Sequence, residues 1–329
     1  MQSEYILTVG LEIHAELKTR TKMFCDSKND SDEIRPNVNV CPICMGHPGV
    51  LPVMNKEAVK HVLKIGLALN GKLADFTEFD RKNYFYPDIP KGYQLSQYEF
   101  PLVSGGSLNG VAITRVHLEE DTATSIHESG IRNQESSLID FNRAGVPLVE
   151  LVTEPVIKSA KEAARFAREL QLLLRHLGVS DANMEKGEMR VEANISVSED
   201  AGRFGTKVEV KNLNSFRAVE GAIAYEMNRH IELIESGKRV EQETRGWNED
   251  IGKTFSQRKK EESHDYRYFP DPDLSKLVIR DIPEFADGKL RKGMPELPFE
   301  KRRRYVALGI KDDDVETLLA NRSLGTICK

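Results

Sequence analysis

Residues able to do chemistry recur at every second position of several short segments. In residues 5–17, YILTVGLEIHAEL, the side chains alternate from Val9 onward. Val9, Leu11, Ile13, Ala15 and Leu17 take one face, and Glu12, His14 and Glu16 take the other, ~6.6 Å apart at each step of a strand. Segment 113–121 sets Arg115, His117 and Glu119 opposite Thr114, Val116 and Leu118, and segment 138–142 places Asp140 with Asn142. Segment 189–197 separates Arg190, Glu192, Asn194 and Ser196 from five apolar residues, and segment 207–211 aligns Lys207, Glu209 and Lys211. One such face alone is ordinarily solvated. Together the faces offer carboxylates with an imidazole, a donor set suited to Mg²⁺ or Mn²⁺. Arginines and lysines beside them suit phosphate oxygens. A hard cation flanked by basic side chains is the equipment of phosphoryl transfer, where positioning and charge stabilisation dominate. No Walker A loop or GxGxxG occurs, which excludes a P-loop or Rossmann nucleotide site.

Cys25, Cys41 and Cys44 form a second group. A Cys-x-x-Cys pair with an earlier cysteine has the spacing of a zinc knuckle, with free thiols as the alternative. Ser27 stands where a Cys-x-Cys partner is expected, and His47 is the nearest substitute ligand. A third group is the non-periodic stretch 79–101, where Arg81, Lys82 and Lys91 mingle with four tyrosines and three prolines. It reads either as an aromatic loop packed on a sheet or as a loop presenting cations and phenols to a nucleotide or an RNA 3′ end. Segment 263–273 has the same character. The KRRRY run at 301–305 reads as a solvated basic face before an RNA site.

The elements that position these groups follow from the same periodicities. Strands with one apolar face belong to antiparallel sheets covered on one side. Three amphipathic helices are expected: 55–70, opening at Asn55; 160–177, opening with Ser159 and Glu162 and ending at Gly178; and 215–236, ending before Gly237. Their stripes should pack on the apolar face of the sheet and leave the charged face open, an α+β layer with a concave polar side. Beyond about residue 290, Pro295, Pro298 and a short helical pattern through Leu319 suggest a linker and the start of a helical unit too small for its own core.

The chain has 329 residues, a prior of about two domains. Lys and Arg number 47 against 52 Asp and Glu, a net charge of −5, so overall charge does not drive it onto nucleic acid. Any RNA contact must be local or shared with another subunit. No apolar run approaches ~18 residues, so no membrane span is expected. The polar start at Met1–Tyr5 gives no sign of a secretory leader. A cytoplasmic globular protein is expected.

Seven strings carry a resemblance: GLEIHAEL (10–17), PGVLPVMN (48–55), FDRKNYFYPD (79–88), HLEED (117–121), DFNRAGVPLVELVTEP (140–155), FGTKVEVKNLNSF (204–216) and HDYRYFPDPDL (264–274). Appearing in this order, they make the chain resemble the B subunits of bacterial and organellar aspartyl/glutamyl-tRNA amidotransferases, ligases that form carbon–nitrogen bonds with glutamine as amido donor. The resemblance implies a cradle domain over 1–293, similar to the glutamine synthetase catalytic fold. There ATP and Mg²⁺ activate the side-chain carboxylate of Glu-tRNA(Gln) or Asp-tRNA(Asn) as an acyl phosphate. Ammonia channelled from an amidase-type A subunit displaces phosphate, and a C subunit clamps A and B. Carried over by motif, Glu12, His14, Glu120, Glu150 and Glu209 are Mg²⁺ ligand candidates. Strand parity favours Glu119 over Glu120, and that choice stays open. Arg190, Lys207, Lys211 and Asn212 become phosphate or nucleotide contacts, while Arg81, Lys82, Tyr84 and Tyr86 line the pocket for the aminoacylated 3′ end. The resemblance also implies a complete helical domain and a tRNA-gripping tail, so a C-terminally shortened chain is expected, with 294–329 as the beginning of the helical domain. Two other readings remain at this point: a non-catalytic scaffold subunit of the same complex, and a stand-alone glutamine-synthetase-like ligase acting on a small carboxylate.

Overall fold

The alternating segments pair edge to edge. In the computed structural model, which describes residues 5–127, 137–200, 202–259 and 266–321, the first of them is strand β1 (Ile6–Glu16). Helix α1 (Lys56–Ala68) follows, capped by Asn55, whose side chain accepts the Glu57 and Ala58 N–H groups. Two short strands, β2 (Asp80–Asn83) and β3 (Tyr93–Ser96), precede the long β4 (Val111–Glu120) and β5 (Pro147–Thr153). Helix α2 (Ala160–Leu177) opens at Ser159, whose Oγ accepts the Glu162 N–H at 3.2 Å, and closes at Gly178 with φ +70°. The Glu162 carboxylate takes the Lys158 N–H, one residue before the position a strict capping box would use. Then come β6 (Met189–Ser198), β7 (Val208–Leu213), α3 (Phe216–Glu235), β8 (Glu243–Asn248) and β9 (Lys253–Lys259). The two-residue strand β10 (Phe269–Pro270) and helices α4 (Asp287–Lys292), α5 (Pro298–Ala307) and α6 (Asp312–Ala320) complete the set used below.

The principal sheet has ten strands, with β1 at its centre in the order β9-β8-β7-β6-β1-β5-β4 and short strands beyond β4. Its pairings are antiparallel except β7 with β8, which run parallel. An all-antiparallel sheet was the expectation. The exception arises because α3 intervenes between β7 and β8 as a crossover, the connection that parallel neighbours require. The face that carries Val9, Leu11, Ile13 and Ala15 is sealed, and α1, α2 and α3 lie against it with Val62, Phe166, Leu170 and Ile223 in one continuous core. The opposite face of β1, β5, β4 and β6 is the charged one.

A small three-stranded sheet, β10-β2-β3, is laid against the end of β4. Gln94 donates to the Glu120 carbonyl at 2.7 Å, and the Leu118 N–H donates to the Gln97 side chain at 2.9 Å. This attachment brings the 79–101 stretch to the charged face. Helices α5 and α6 share a small buried cluster of Tyr305, Val315 and Leu319, which docks on α2 through Leu172. Arg302 of the KRRRY run reaches Glu169 and Glu316, and Arg304 pairs with Glu296. Among the described residues no helix is long and apolar enough to cross a membrane.

Candidate active site

Register fixes the core of the site. His117, Glu150, His14 and Arg190 lie opposite one another in turn across β4, β5, β1 and β6. His14 Nε2 stands 3.3 Å from Glu119 Oε1, 3.4 Å from Glu150 Oε2 and 3.8 Å from Glu12 Oε1. His117 Nε2 approaches the same Glu150 oxygen at 3.3 Å. Two overlapping groups of ligand atoms result, His14–Glu119–Glu150 and Glu12–His14–Glu192, each with its atoms within 4.8 Å. Glu119 Oε2 is buried yet makes no hydrogen bond, as do His14 Nδ1 and His117 Nδ1. A buried carboxylate oxygen without a partner is costly unless something else meets it.

The electrostatics agree with a crowded anionic cluster. Burial, with Glu150 and Glu192 nearby, raises Glu12 to about 7. Burial alone would lower His14, but hydrogen bonds and negative charge from Glu119 and Glu150 lift it to about 10, the response of an imidazole set among carboxylates with no metal cation beside them. Burial likewise opposes ionisation of Glu150, but the two histidines hold it well below the usual range.

Basic side chains ring a cavity of about 410 Å³ above this cluster. On one wall Arg190 donates to both oxygens of buried Asp121 at 3.1 and 3.3 Å, and Arg143 Nε lies 3.6 Å from the same carboxylate. On another, Lys211 pairs with Glu192 at 2.7 Å. Opposite β6 a bulge in β7 sets Lys211 and Asn212 against Glu192, and Asn212 takes φ +56° there. The bulge turns both side chains into the cavity. From the small sheet come Lys82 and Tyr84, with Tyr86 at the rim and Tyr266 across from them. The Lys82 ammonium sits 4.8 Å from the Tyr266 ring centre and 5.9 Å from that of Tyr84. Burial works against its charge, but the field of Glu119 and the Tyr268 phenol raises its pKa.

Thus the structure brings together Glu12, His14, Glu150, Arg190, Lys211, Asn212, Lys82, Tyr84 and Tyr86 from the sequence-based candidates. Others stand apart, each for a visible reason. Glu120 points the opposite way from Glu119, as strand alternation requires; it pairs with Lys91 and accepts the Leu95 N–H at 2.9 Å. Glu119 takes the place beside His14. Glu209 belongs to neither ligand group: one oxygen accepts the Thr244 hydroxyl of β8 at 2.9 Å, and the other lies 3.6 Å from Lys211 Nζ at the edge of the cavity. Lys207 precedes β7 and is exposed away from the cavity. Arg81 is a strut: it binds Asp271 at 2.6 Å and Asp273 at 3.0 Å with the Tyr93 ring 4.2 Å away, fastening β10 to β2. Asp140 and Asn142 hold the 35–39 loop by accepting its amides. Residues 263–265 lie outside the described residues.

Sequence reasoning set Glu192 among the carboxylates of the charged face without carrying it into the motif-based ligand set, and left out Asp121, Arg143 and Gln94 as cavity residues. Glu192 was legible from alternation beside Arg190. Arg143 sits in a turn whose direction no periodicity gives. Cys25, Cys41 and Cys44 do cluster, with their sulfurs within 4.8 Å, but no fourth soft donor joins them among the described residues. His47 is exposed and outside the group.

The family model described as the GatB/GatE catalytic domain matches residues 7–282. The chain belongs to the GatB/GatE family. It is 50% identical to the B subunit of the aspartyl/glutamyl-tRNA(Asn/Gln) amidotransferase of Thermus thermophilus, across 97% of this chain and 67% of that protein. It is 48% identical to the corresponding subunit from Crocosphaera subtropica and 49% to that from Thermodesulfovibrio yellowstonii, in each case across 98% of this chain and 68% of the relative. The whole cavity-bearing sheet therefore lies in the matched GatB/GatE region, and this chain spans about two thirds of the length of these relatives.

Proposed function

We propose that this cavity activates the side-chain carboxylate of an aminoacyl-tRNA, Glu-tRNA(Gln) or Asp-tRNA(Asn), by ATP-dependent phosphorylation, and that ammonia from a glutamine-hydrolysing A subunit then displaces phosphate. The observation that carries this reading is one cavity with two kinds of wall: a carboxylate–imidazole floor, and basic sides built from Lys82, Arg143, Arg190 and Lys211. The names of the relatives, tRNA amidotransferase subunits, supply the substrate class. A glutamine-synthetase-like cradle over 1–293, followed by the start of a helical domain, suits the one-sided sheet and the docked α5–α6 pair.

The floor fits a hard divalent cation by its donor chemistry and by the unpartnered Glu119 oxygen. Glu12, His14, Glu119, Glu150 and Glu192 would hold Mg²⁺, which when bound supplies positive charge to two anionic reactants. The protein's own residues do the rest. Arg190, kept in place by Asp121, presents its guanidinium to phosphate oxygens. Lys211 and Asn212 approach from the β7 bulge. Lys82 offers a desolvated ammonium to the reacting carboxylate, and preorganised charge of this kind is the main catalytic effect available. Tyr84, Tyr86 and Tyr266 border the way in and provide faces against which an unstacked terminal nucleotide can lie.

The test is an assay of the purified complex with A and C subunits, using ATP, glutamine and misacylated tRNA. ATP cleavage that depends on the misacylated tRNA supports the proposal. Assembly without turnover would make the chain a scaffold, and cleavage on a free amino acid by the isolated chain would make it a small-carboxylate ligase. Either result overturns the reading.

A further inference from the structure

The three-cysteine cluster lies behind the cavity wall, and nothing in the proposed reaction uses it. Three sulfurs are one donor short of the closed tetrahedral set of a structural zinc site. What completes the surroundings of Cys44 is a hydroxyl and an ammonium: Ser27 Oγ and Lys22 Nζ each stand 3.8 Å from its sulfur. Lys22 is a fully buried lysine, and its ammonium also donates to the Phe141 carbonyl at 3.2 Å. Cys44 Sγ accepts the Cys41 N–H at 3.1 Å and lies 3.8 Å from Cys41 Sγ. Cys44 is buried, whereas Cys41 is half-buried. Ammonium and amide donors gathered on one sulfur of a Cys-x-x-Cys turn favour its thiolate, and a second sulfur at van der Waals distance gives it a bonding partner.

We infer that Cys41 and Cys44 are a reversible dithiol–disulfide pair whose state is felt at the cavity wall through Lys22 and Gly145. The oxidant is a low-molecular-weight disulfide, RSSR. The half-buried Cys41, as its thiolate, attacks one sulfur of RSSR and releases RS⁻; the Cys44 thiolate then attacks the Cys41 sulfur of the mixed disulfide and releases the second RS⁻. The protein loses two electrons and its two thiol protons, and RSSR becomes two RSH.

Gly145 is the link. It holds φ +82°, and a Cβ placed on it would lie 3.4 Å from Cys44 Cβ, 3.7 Å from Lys22 Cδ and 4.0 Å from Glu120 Oε2. Its N–H donates to the Asp121 carbonyl at 2.9 Å, and its carbonyl accepts the Met23 N–H at 2.8 Å. Asp121 is the residue that holds Arg190 and Arg143. Closing the disulfide draws the sulfurs from 3.8 Å to ~2.0 Å. The same step removes the sulfur's negative charge from beside a buried ammonium. Cys44 cannot move toward Cys41 without changing its contact with Lys22 and Gly145, so the 141–146 turn and its bond to Asp121 loosen on oxidation.

The inference does not rest on the proposed reaction, and its test reads no activity. The purified complex is equilibrated in buffers of reduced and oxidised glutathione, alkylated and mapped by mass spectrometry, while amide hydrogen exchange is followed in parallel. The expected result is a reversible loss of two alkylatable thiols, mapped to Cys41 and Cys44, with several-fold faster exchange at Gly145 and Val146. Cys41→Ser, at the half-buried position, should abolish both changes while the reduced chain keeps its exchange pattern elsewhere. Cys25→Ser should leave the pair intact. Thiols that remain alkylatable across the whole range overturn the inference, as does a stoichiometric zinc that shields all three in the reduced chain. A disulfide that forms without altering exchange at Gly145 overturns the link to the wall.

Discussion

Glu119 and Glu120 are chemically alike and adjacent, yet they face opposite sides of β4. Glu119 stands 3.3 Å from His14, while Glu120 is engaged by Lys91 and the Leu95 amide. Motif matching favours Glu120 and alternation favours Glu119, and the fold follows alternation because the pleat leaves no choice of side. The two substitutions therefore have different expected effects. Glu119→Gln should lower tRNA-dependent ATP cleavage by about 10²–10³-fold, the scale seen when one preorganised electrostatic group is lost. Glu120→Gln keeps the acceptor for Leu95 and should cost less than about tenfold in the same assay. Equal losses would remove the distinction drawn between them. His14→Ala should also abolish ATP cleavage while glutamine hydrolysis by the A subunit persists; amidation at the unaltered rate would discard the ligand group. Legibility at this scale tracks backbone regularity. Glu12, His14 and Arg190 could be read from strands of strict alternation. The places of Glu209 and Arg81 could not, because Thr244 with Lys211, and Asp271, engage them through contacts that only the fold creates.

At the scale of elements, the sequence announced the helices well: α2 spans the residues its cap and terminal glycine mark, and α3 differs by one residue at each end. The parallel β7–β8 pair was not announced, since periodicity marks α3 as a helix but not that it crosses over between neighbouring strands; a buried polar node fastens that crossover. Glu226, fully buried on α3, accepts from Arg229 at 2.7 Å and is also bonded by Thr254 of β9, with Arg245 of β8 at 3.1 Å and His230 at 3.2 Å. One carboxylate thereby ties a helix to two strands. Burial alone would raise its pKa, but its bonds to His230, Arg229 and Thr254 bring it down to about 2 from an ordinary 4.5. A depressed carboxylate stabilises the fold fully above its unfolded pKa and loses that contribution as pH falls through the folded value. The contribution, about 3 kcal/mol at most, should therefore be present above pH 4.5 and disappear toward pH 2. Thermal unfolding followed from pH 6 to pH 2 should show this fall. In Glu226→Gln the slope across that window should be shallower and the stability near neutrality lower. An identical slope in both proteins would mean that the node does not couple to folding.

Across the whole molecule, a net charge of −5 does not mean a uniformly acidic surface. A cluster of carboxylates forms the floor of one cavity, and arginines that the sequence offers as a basic surface run are spent on internal pairs. Arg302 is the clearest case, since it joins α5 to Glu316 of α6 and to Glu169 of α2. The α5–α6 unit has a cluster of just Tyr305, Val315 and Leu319, with Pro298 also buried at the start of α5 and Leu297 before it in the main core. So small a cluster gives little independent stability, and the unit's order depends on docking to α2. His176 Nε2, 3.0 Å from the Leu319 carbonyl, is the second tie. Arg302→Ala should therefore release α5 and α6 without unfolding the sheet. Amide exchange within 299–320 should rise at least about tenfold, the signature of a local opening with lower free energy than global unfolding. The main thermal transition should move by no more than about 2 °C, because the β1-centred core keeps all of its contacts. If exchange in β1 and β6 rises in step with that in α5, the docked pair and the sheet form one cooperative unit, and its attachment is part of what holds the active cavity in shape.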